Sequence, residues 1–388
     1  EVASSITTNK TGRYYASVDN DGCASTDSIW VKRDCYLNIP NILSAAEITG
    51  ADAIHPGFGF LSENKEFAQM CNKWGIAFIG PNVECIEKMG DKIISKEIAE
   101  NAGVPILKPI AVNGRSDEEI MSNVKEMGLP VLVKASAGGG GRGMQKIEKF
   151  EELLTAIARL KTEAKVGFGD DTLFIEKFVT NPRHVEVQIM ADKKGNVLHL
   201  GERDCTVQRR FQKVVEESPC PVLSEDRRKE ICKSAVDLAK FVNYDSVGTV
   251  EYLYDQDDDK FYFMEMNTRI QVEHPVTELI TSQDLVEWQL RVAAGEVLPK
   301  AQDELKINGH AFEARIYAED PNNDFLPATG TLDFLQPPVE SEFVRVDTGV
   351  RQGDEVSVFY DPMIAKLIVW DESREKALQR MAKALSEY

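Results

Sequence analysis

The run Phe261-Tyr-Phe-Met-Glu-Met-Asn-Thr-Arg-Ile-Gln-Val-Glu-His274 constrains this chain more than any other segment. Side chains alternate faces along an extended strand. If the run is extended, Glu265, Asn267, Arg269, Gln271 and Glu273 share one face, and Met264, Met266, Ile270 and Val272 share the other. The polar row of acid, amide, cation, amide and acid would spread over roughly 26 Å. A solvated strand face carries Lys, Thr and Glu in loose order; an ordered row backed by Met and Ile suits a binding site better. Upstream, Thr249-Val-Glu251-Tyr-Leu-Tyr254 reads as a second strand, and Asp255-Gln-Asp-Asp-Asp-Lys260 joins the two as a hairpin. Symmetry about Asp258 places Glu251 opposite Glu265. Facing carboxylates are unfavourable unless a cation lies between them. Mg²⁺ shared with nucleotide phosphates resolves the conflict. A different register, with both acids solvated, is the bland alternative.

The second feature is the loop Ser136-Ala-Gly-Gly-Gly-Gly-Arg-Gly-Met144, which follows a strand Pro130–Lys134 and precedes a helix over 150–164. Glycines let backbone amides approach phosphates, and Lys134 adds a point charge. No Gly-Lys-Ser/Thr follows, and the spacing is not that of a dinucleotide fold. Between a strand and a helix, the loop reads as a phosphate lid in preference to a linker. Two polar patches follow, Asn181–Gln188 and Gly201–Glu217. In the second, Arg209, Arg210 and Lys213 concentrate positive charge as an anion pocket would, although a salt-bridged surface has the same composition. His184, on the strand His184-Val-Glu-Val-Gln188, gains weight from its neighbours only. Cys205 and Cys220 read as buried or incidental thiols.

The length, 388 residues, accommodates two or three subdomains. Residues 1 to about 35 read as polar and irregular. An α/β alternation follows, with a helix over Ile42–Ile48, a glycine-rich turn His55–Ser62, a helix opened by a capping Ser62, and a short strand Ile76–Ile79. That alternation suggests an open parallel sheet. From 184 to 275 the pattern is mostly β, interrupted by a helix over 224–242; after 300 come short strands and a closing helix over 373–386. The net charge of -19 argues against nucleic acid and against an anionic membrane surface. Seven cysteines, an odd number without a Cys-x-x-Cys pair, fit free thiols in a reducing compartment and not a disulfide framework or a Cys zinc site. No apolar run reaches the ~18–20 residues of a membrane span, and the first residues lack a signal peptide's apolar core. The sequon Asn9-Lys10-Thr11 is short enough to arise by chance.

Taken together, these segments resemble the biotin carboxylase family from about Tyr36 to the C-terminus. The runs that carry the likeness are Tyr36-Leu-Asn-Ile-Pro, His55-Pro-Gly-Phe-Gly-Phe-Leu-Ser-Glu-Asn64, the glycine loop, Glu202-Arg-Asp-Cys205, Glu265–Thr277 and Asp361-Pro-Met-Ile-Ala-Lys366. The resemblance implies an α/β and α+β chain: a partial, Rossmann-like pre-ATP-grasp domain (1–89), an ATP-grasp domain with a glycine lid (90–300) and an incomplete C-terminal β domain (301–388). It implies ATP phosphates on Lys92, Lys134 and the amides of Gly138, Gly139, Gly140, Gly141 and Gly143. Glu176 and Lys177 would lie at the adenine edge, with His184 and Gln208 on the nucleotide. Glu251, Glu265 and Asn267 would ligate Mg²⁺ or Mn²⁺, two ions in all. Lys213, Arg269, Gln271 and the Val272 backbone would hold bicarbonate, Glu273 would deprotonate it, and Arg315 would stabilise the biotin enolate.

The implied activity is ATP- and bicarbonate-dependent carboxylation of biotin through carboxyphosphate, the first half-reaction of an acyl-CoA carboxylase. Val344–Ser357 and Val286–Leu290 look closest to the 3-methylcrotonyl-CoA type, while Gly90-Asp-Lys92 is equally at home in acetyl-CoA carboxylases. Biotin would arrive as a substrate on a carrier protein, because no Met-Lys-Met site is present in the sequence. The expected partners are that carrier, a carboxyltransferase subunit and a second copy of the chain in a homodimer, with neither nucleic acid nor membrane. The expected setting is soluble: cytoplasm in a bacterium, mitochondrion or plastid in a eukaryote. The family's opening strand and Asn-Arg-Gly-Glu turn are missing, Phe211 stands where relatives carry His or Asn, and relatives continue past Tyr388. The sequence therefore reads as cropped at both ends, with a weak or inactive enzyme expected from it alone. Two other readings stand beside this one: a carbamoyl phosphate synthetase-like ligase that shares carboxyphosphate chemistry, and a non-catalytic fragment serving assembly.

Overall fold

The computed structural model of the protein describes residues 12–20, 23–31, 35–136 and 143–388. The sequon and Gly138–Gly141 lie outside the described residues; Gly143 is within them, at φ 72°. The chain opens with a hairpin, β1 (Gly12–Asn20) against β2 (Cys23–Val31), where the sequence suggests irregular structure. The overlooked signal is Asp21-Gly22 between runs containing Tyr, Val, Ile and Trp, a strong hairpin pattern.

Helix α1 (Ile39–Thr49) is capped by Asn38 and ends at Gly50 in the left-handed region. Strand β3 (Ala53–Ile54) pairs in parallel with β4 (Ala77–Phe78), so the parallel pairing suggested by the alternation is confined, among the described residues, to these two short strands and an isolated bridge between Ile106 and Phe263. Between them, α2 (Lys65–Lys73) starts later than the sequence suggests. Asn64, not Ser62, is its cap, with the Asn64 side chain accepting the Phe67 amide at 2.8 Å, while Ser62 is buried. Asn64→Ala is therefore expected to cost about 1 kcal/mol of stability in a denaturant titration. If Asn64→Ala leaves the midpoint unchanged, the cap assignment is wrong.

Helices α3 (Val83–Gly90) and α4 (Lys92–Asn101) are capped by Asn82 and Asp91. A four-stranded antiparallel sheet follows, in the order β5 (Ile110–Ala111), β8 (Leu173–Lys177), β6 (Val131–Ala135), β7 (Met144–Ile147). Helices α5 (Asp117–Met127) and α6 (Phe150–Phe168) bury Ile120, Val124, Leu153 and Leu160 against its Val131, Val133, Ile147 and Ile175.

The larger sheet has eight antiparallel strands. Its order is β13 (Lys260–Asn267), β12 (Ser246–Asp255), β9 (Pro182–Ala191), β10 (Val197–Arg209), β11 (Gln212–Ser218) and β14 (His310–Tyr317), then strands Met363–Asp371 and Val344–Thr348. It runs without a break across residue 300, because β11 pairs with β14. Helix α7 (Glu225–Phe241) packs Ile231, Ala235 and Leu238 under β9 and β12, and α9 (Leu285–Ala293) packs Leu285 and Trp288 on Met190 and Val247. Helix α8 (His274–Thr281) sets Val276 and Ile280 on Ala311 and Ile368. Helix α10 (Arg374–Glu387) sets Ala377 and Met381 on Phe312 and Leu367. Strand alternation places these two helices on opposite faces of the same strands.

The run 261–274 is not one strand. It leaves the sheet at Asn267, because the Thr268 amide donates to the Glu63 carboxylate at 3.0 Å instead of to a neighbouring strand, and Pro275 then starts α8. The expected pairing of Glu251 with Glu265 is present, by a route the symmetry argument missed. The turn sets Tyr252 opposite Phe263, which would put Glu251 opposite Met264. A bulge absorbs Met264 and brings Glu265 into line.

Candidate functional site

Register across adjacent strands builds the centre of the site. Glu186 on β9 lies opposite Arg203 on β10 and opposite Glu251 on β12, and Glu251 lies opposite Glu265 on β13. One row thus crosses four strands as one cation and three carboxylates, with directly opposed side chains on the same face. Lys213, from β11, closes over the row. Its ammonium donates to Glu186 Oε2 at 2.5 Å, Glu251 Oε1 at 2.9 Å and Glu273 Oε1 at 2.6 Å.

Arg203 is fully buried beneath this node. Its guanidinium donates to Glu186 at 2.5 Å, Gln188 at 2.6 Å, Gln271 at 2.9 Å, Thr277 at 3.0 Å and Thr249 at 3.3 Å. Arg315, on β14, donates to the second oxygen of Glu273 at 3.0 Å and to Glu216 at 2.7 Å. Lys366 donates to the Val272 carbonyl at 2.6 Å, holding the turn that carries Gln271 and Glu273. His184 lies at 2.7 Å from Glu251 through Nε2 and at 2.9 Å from Gln208 through Nδ1.

Several sequence-predicted residues gather here: Lys213, Gln271, Val272, Glu273, Arg315, His184, Gln208, Glu251, Glu265 and Asn267. Arg269 is drawn aside. It donates to Glu63 at 2.9 Å and to Asn267 Oδ1 at 2.8 Å, and Asn267 in turn donates to Glu251 at 2.8 Å. Arg209 and Arg210 stay out of the pocket. The first pairs with Glu319 and stacks on Phe325 at 4.2 Å; the second pairs with exposed Asp324 at 2.8 Å. They belong to the salt-bridged surface, leaving Lys213 as the one of these three cations in the node. Arg210 and Phe211 form the β10–β11 turn at φ 51° and 65°, with Phe211 exposed.

A second cluster lies on the smaller sheet. Glu176 on β8 binds Lys134 on β6 at 2.6 Å and also pairs with Lys96 on α4. Burial and the neighbouring charge of Lys92 press Lys134 down to about 8, and burial with Lys134 and Lys92 presses Lys96 to about 7. The Glu265 carboxylate opposes both shifts. Lys177 donates instead to the Gly128 and Leu129 carbonyls, at 3.0 and 3.2 Å.

The row is graded electrically. Burial raises Glu186, but Lys213 and Arg203 outweigh it and hold the carboxyl at about 2. Burial likewise opposes Glu251, which Lys213 and His184 hold well below the carboxylate range. Glu273 is also low, because Lys213 and Arg315 overcome burial and the repulsion of Glu186. Glu265 is raised, by burial first and Glu251 second. The β13 end of the row is therefore short of positive charge. Its donors are carboxylate oxygens, the chemistry that suits Mg²⁺. His184, Glu186 and Glu251 also lie within reach of a single ion, but Lys213 already serves Glu186 and Glu251.

The sequence reading missed roles for Glu63, Lys96, Glu186, Arg203, Glu216 and Lys366. For Glu186 the signal was available, since strand alternation sets His184, Glu186 and Gln188 on one face. The others depend on neighbours that the fold brings together from separate elements. The five cysteines with described side chains, Cys205 and Cys220 among them, are buried free thiols. Among the described residues no helix is long and apolar enough to cross a membrane.

Comparison with known proteins places three family models along the chain. "Biotin carboxylase, N-terminal domain" matches residues 13–86, "Carbamoyl-phosphate synthase L chain, ATP binding domain" matches 91–301, and "Biotin carboxylase C-terminal domain" matches 313–388. The first match starts inside the stretch that the resemblance had left out. The chain is 54% identical to the mitochondrial methylcrotonoyl-CoA carboxylase subunit alpha of Dictyostelium discoideum, over 92% of this chain and 51% of that protein. It is 46% identical to biotin carboxylase 1 of Bacillus subtilis, over 92% of this chain and 79% of that one. It thus spans about half the length of its methylcrotonoyl-CoA carboxylase relatives. Among solved structures, the biotin carboxylase–beta-gamma-ATP complex of Campylobacter jejuni matches with a TM-score of 0.86 and 46% identity, over 91% of this chain and 78% of that one. The biotin carboxylase domain dimer of Hydrogenobacter thermophilus 2-oxoglutarate carboxylase, in complex with MgADP, ADP and bicarbonate, matches with a TM-score of 0.86 and 47% identity, over 93% and 79%.

Proposed function

The chain belongs to the biotin carboxylase family, and from that premise we propose that it uses ATP and bicarbonate to carboxylate biotin on a carrier protein. This would be the first half-reaction of an acyl-CoA carboxylase. The observation that carries the reading is the node in which Lys213 binds Glu186, Glu251 and Glu273 while Arg315 holds the other oxygen of Glu273. A buried carboxylate between two cations is ionised at neutral pH and positioned to accept a proton. Bicarbonate is a poor nucleophile until it loses one.

In this reading each residue takes the role that the resemblance implies. Lys134, Lys92 and the glycine lid with Gly143 bind phosphates, and the lid keeps water from carboxyphosphate. Glu176 secures Lys134 and Lys96 and, with Lys177, borders the adenine. His184 and Gln208 orient the nucleotide edge. Glu251, Glu265 and Asn267 would hold Mg²⁺ or Mn²⁺, which when bound would neutralise charge on the phosphates. Lys213, Arg269, Gln271 and the Val272 backbone seat bicarbonate, and Glu273 takes its proton. Arg315 stabilises the biotin enolate oxygen.

The domain division 1–89, 90–300 and 301–388 is retained as a functional division, although one sheet spans its last boundary. The names of the relatives support the methylcrotonoyl-CoA type, a carrier and a carboxyltransferase as partners, and the neighbouring domain dimer supports a homodimer. A carbamoyl phosphate synthetase-like ligase has one observation in its favour, the name of the middle family model, but the models on either side favour biotin.

The test is ATP cleavage by the full chain with and without bicarbonate and free biotin. Cleavage should require bicarbonate and rise with biotin. Turnover indifferent to bicarbonate would sink the proposal.

A further inference from the structure

Behind Arg315 lies a pair of acids that the proposed chemistry does not use. Glu216 on β11 and Glu313 on β14 are both fully buried and directly opposite in register, so their side chains share a face. That face is closed by α8, whose Val276 and Ile280 pack on Ala311 and Ile368. Glu216 spends one oxygen on Arg315 Nε at 2.7 Å; among the described residues, its other oxygen and both oxygens of Glu313 have no hydrogen-bond partner. Two facing carboxylates cannot both remain charged in such a place. A proton held by one of them removes a buried charge and turns it into a donor for an orphaned oxygen.

We infer that Glu313 is a positioning residue for biotin carboxylation: it keeps a proton for the Glu216–Glu313 pair, so that one negative charge, on Glu216, seats Arg315. The inference rests on the proposed role of Arg315. The charged groups around the pair agree with it. Arg315 serves Glu216 and Glu273 together. Lys366, opposite Arg315 on the next strand, is committed to the Val272 carbonyl at 2.6 Å and to Asp347 at 3.4 Å, so among the described residues Glu313 has no ion pair of its own. On the side of α8 stand Glu273, which repels both acids, and His274, which burial and Lys366 hold neutral down to about 3. Burial raises Glu216 to about 7 and Glu313 well above the carboxylate range, with Arg315 and Lys366 the respective opposing cations.

The sign of the pH dependence follows. A carboxyl raised on folding binds its proton more tightly in the native state. Its contribution is complete below its unfolded value and is lost as pH rises through the folded one, here from the ordinary carboxylate range up to the raised range in which Glu313 titrates. The full-length wild type, Glu313→Gln and Glu216→Gln are compared for bicarbonate-dependent ATP cleavage, for biotin carboxylation and for melting temperature across neutral to alkaline pH. Glu313→Gln, an uncharged mimic of the acid, should keep biotin turnover within about threefold and flatten the alkaline fall of the melting temperature. Glu216→Gln should lower biotin turnover at least tenfold while bicarbonate-dependent ATP cleavage changes less.

The infrared band of a buried protonated carboxyl, present in the wild type and lost in Glu313→Gln, provides a readout that survives if a variant turns over poorly. Equal damage from both substitutions, an unchanged melting profile or no carboxyl band would overturn the inference. Wild-type enzyme without biotin-dependent turnover would overturn the underlying reading of the function instead.

Discussion

Glu273→Gln is expected to reduce bicarbonate-dependent ATP cleavage by about 10²–10⁴-fold, the usual weight of a positioned general base, while nucleotide affinity stays near that of the wild type. The glutamine keeps the volume and one acceptor oxygen, so one of Lys213 and Arg315 keeps its bond to residue 273 while the other falls back on its remaining carboxylates, Glu186 and Glu251 for Lys213 or Glu216 for Arg315. The ability to accept the proton of bicarbonate is lost. The phosphate-binding Lys134 stands apart from Glu273, because it and Lys96 of α4 pair with Glu176 on the smaller sheet. Lys134→Ala should produce the opposite split, with weaker ATP binding and the bicarbonate requirement preserved. Titration of a fluorescent nucleotide beside steady-state phosphate release separates the two. Nucleotide binding lost in Glu273→Gln, with chemistry intact in what remains bound, would reverse the assignment.

The site was legible in the sequence where local pattern and strand alternation suffice. Glu251 against Glu265 could be read because a single hairpin joins them, although a bulge made the pairing correct. Glu273 and Gln271 could be named but not located. They reach the node because the chain leaves the sheet after Asn267, held by Glu63 from a distant segment. Arg209 and Arg210 misled because composition records that cations are close in sequence and not which way each points along a turn. The opening hairpin was missed because an average over residues 1–35 hides two short β-rich runs around Asp21-Gly22. What no sequence window could supply is strand order. Placing β9 between β10 and β12 brings Glu186 into line with Arg203 and Glu251, and nothing local in the chain announces it.

Arg203 is where that order has its greatest consequence, and Arg203→Met is expected to cost about 3–5 kcal/mol, the range for breaking a buried ion pair by removing one partner. The side chain is fully buried, and its guanidinium reaches residues of β9, β12, the Gln271 turn and α8. Without it, Glu186 keeps Lys213 alone, and the oxygens of Gln188 and Gln271 lose their donor. Each buried group left unpaired adds about 1–3 kcal/mol, though losses within one network do not simply sum. A domain's margin is only about 5–15 kcal/mol, so one substitution removes a large share of it. Arg203→Lys should recover little, because a single ammonium cannot serve acceptors arranged around a planar fork. Denaturant unfolding of the two variants decides the matter. The residual folded Arg203→Met protein should also bind bicarbonate poorly, since Gln271 is no longer fixed from below. A midpoint shift worth less than about 1 kcal/mol would mean that the network relaxes around the loss, and that Lys213 alone holds the row of carboxylates together.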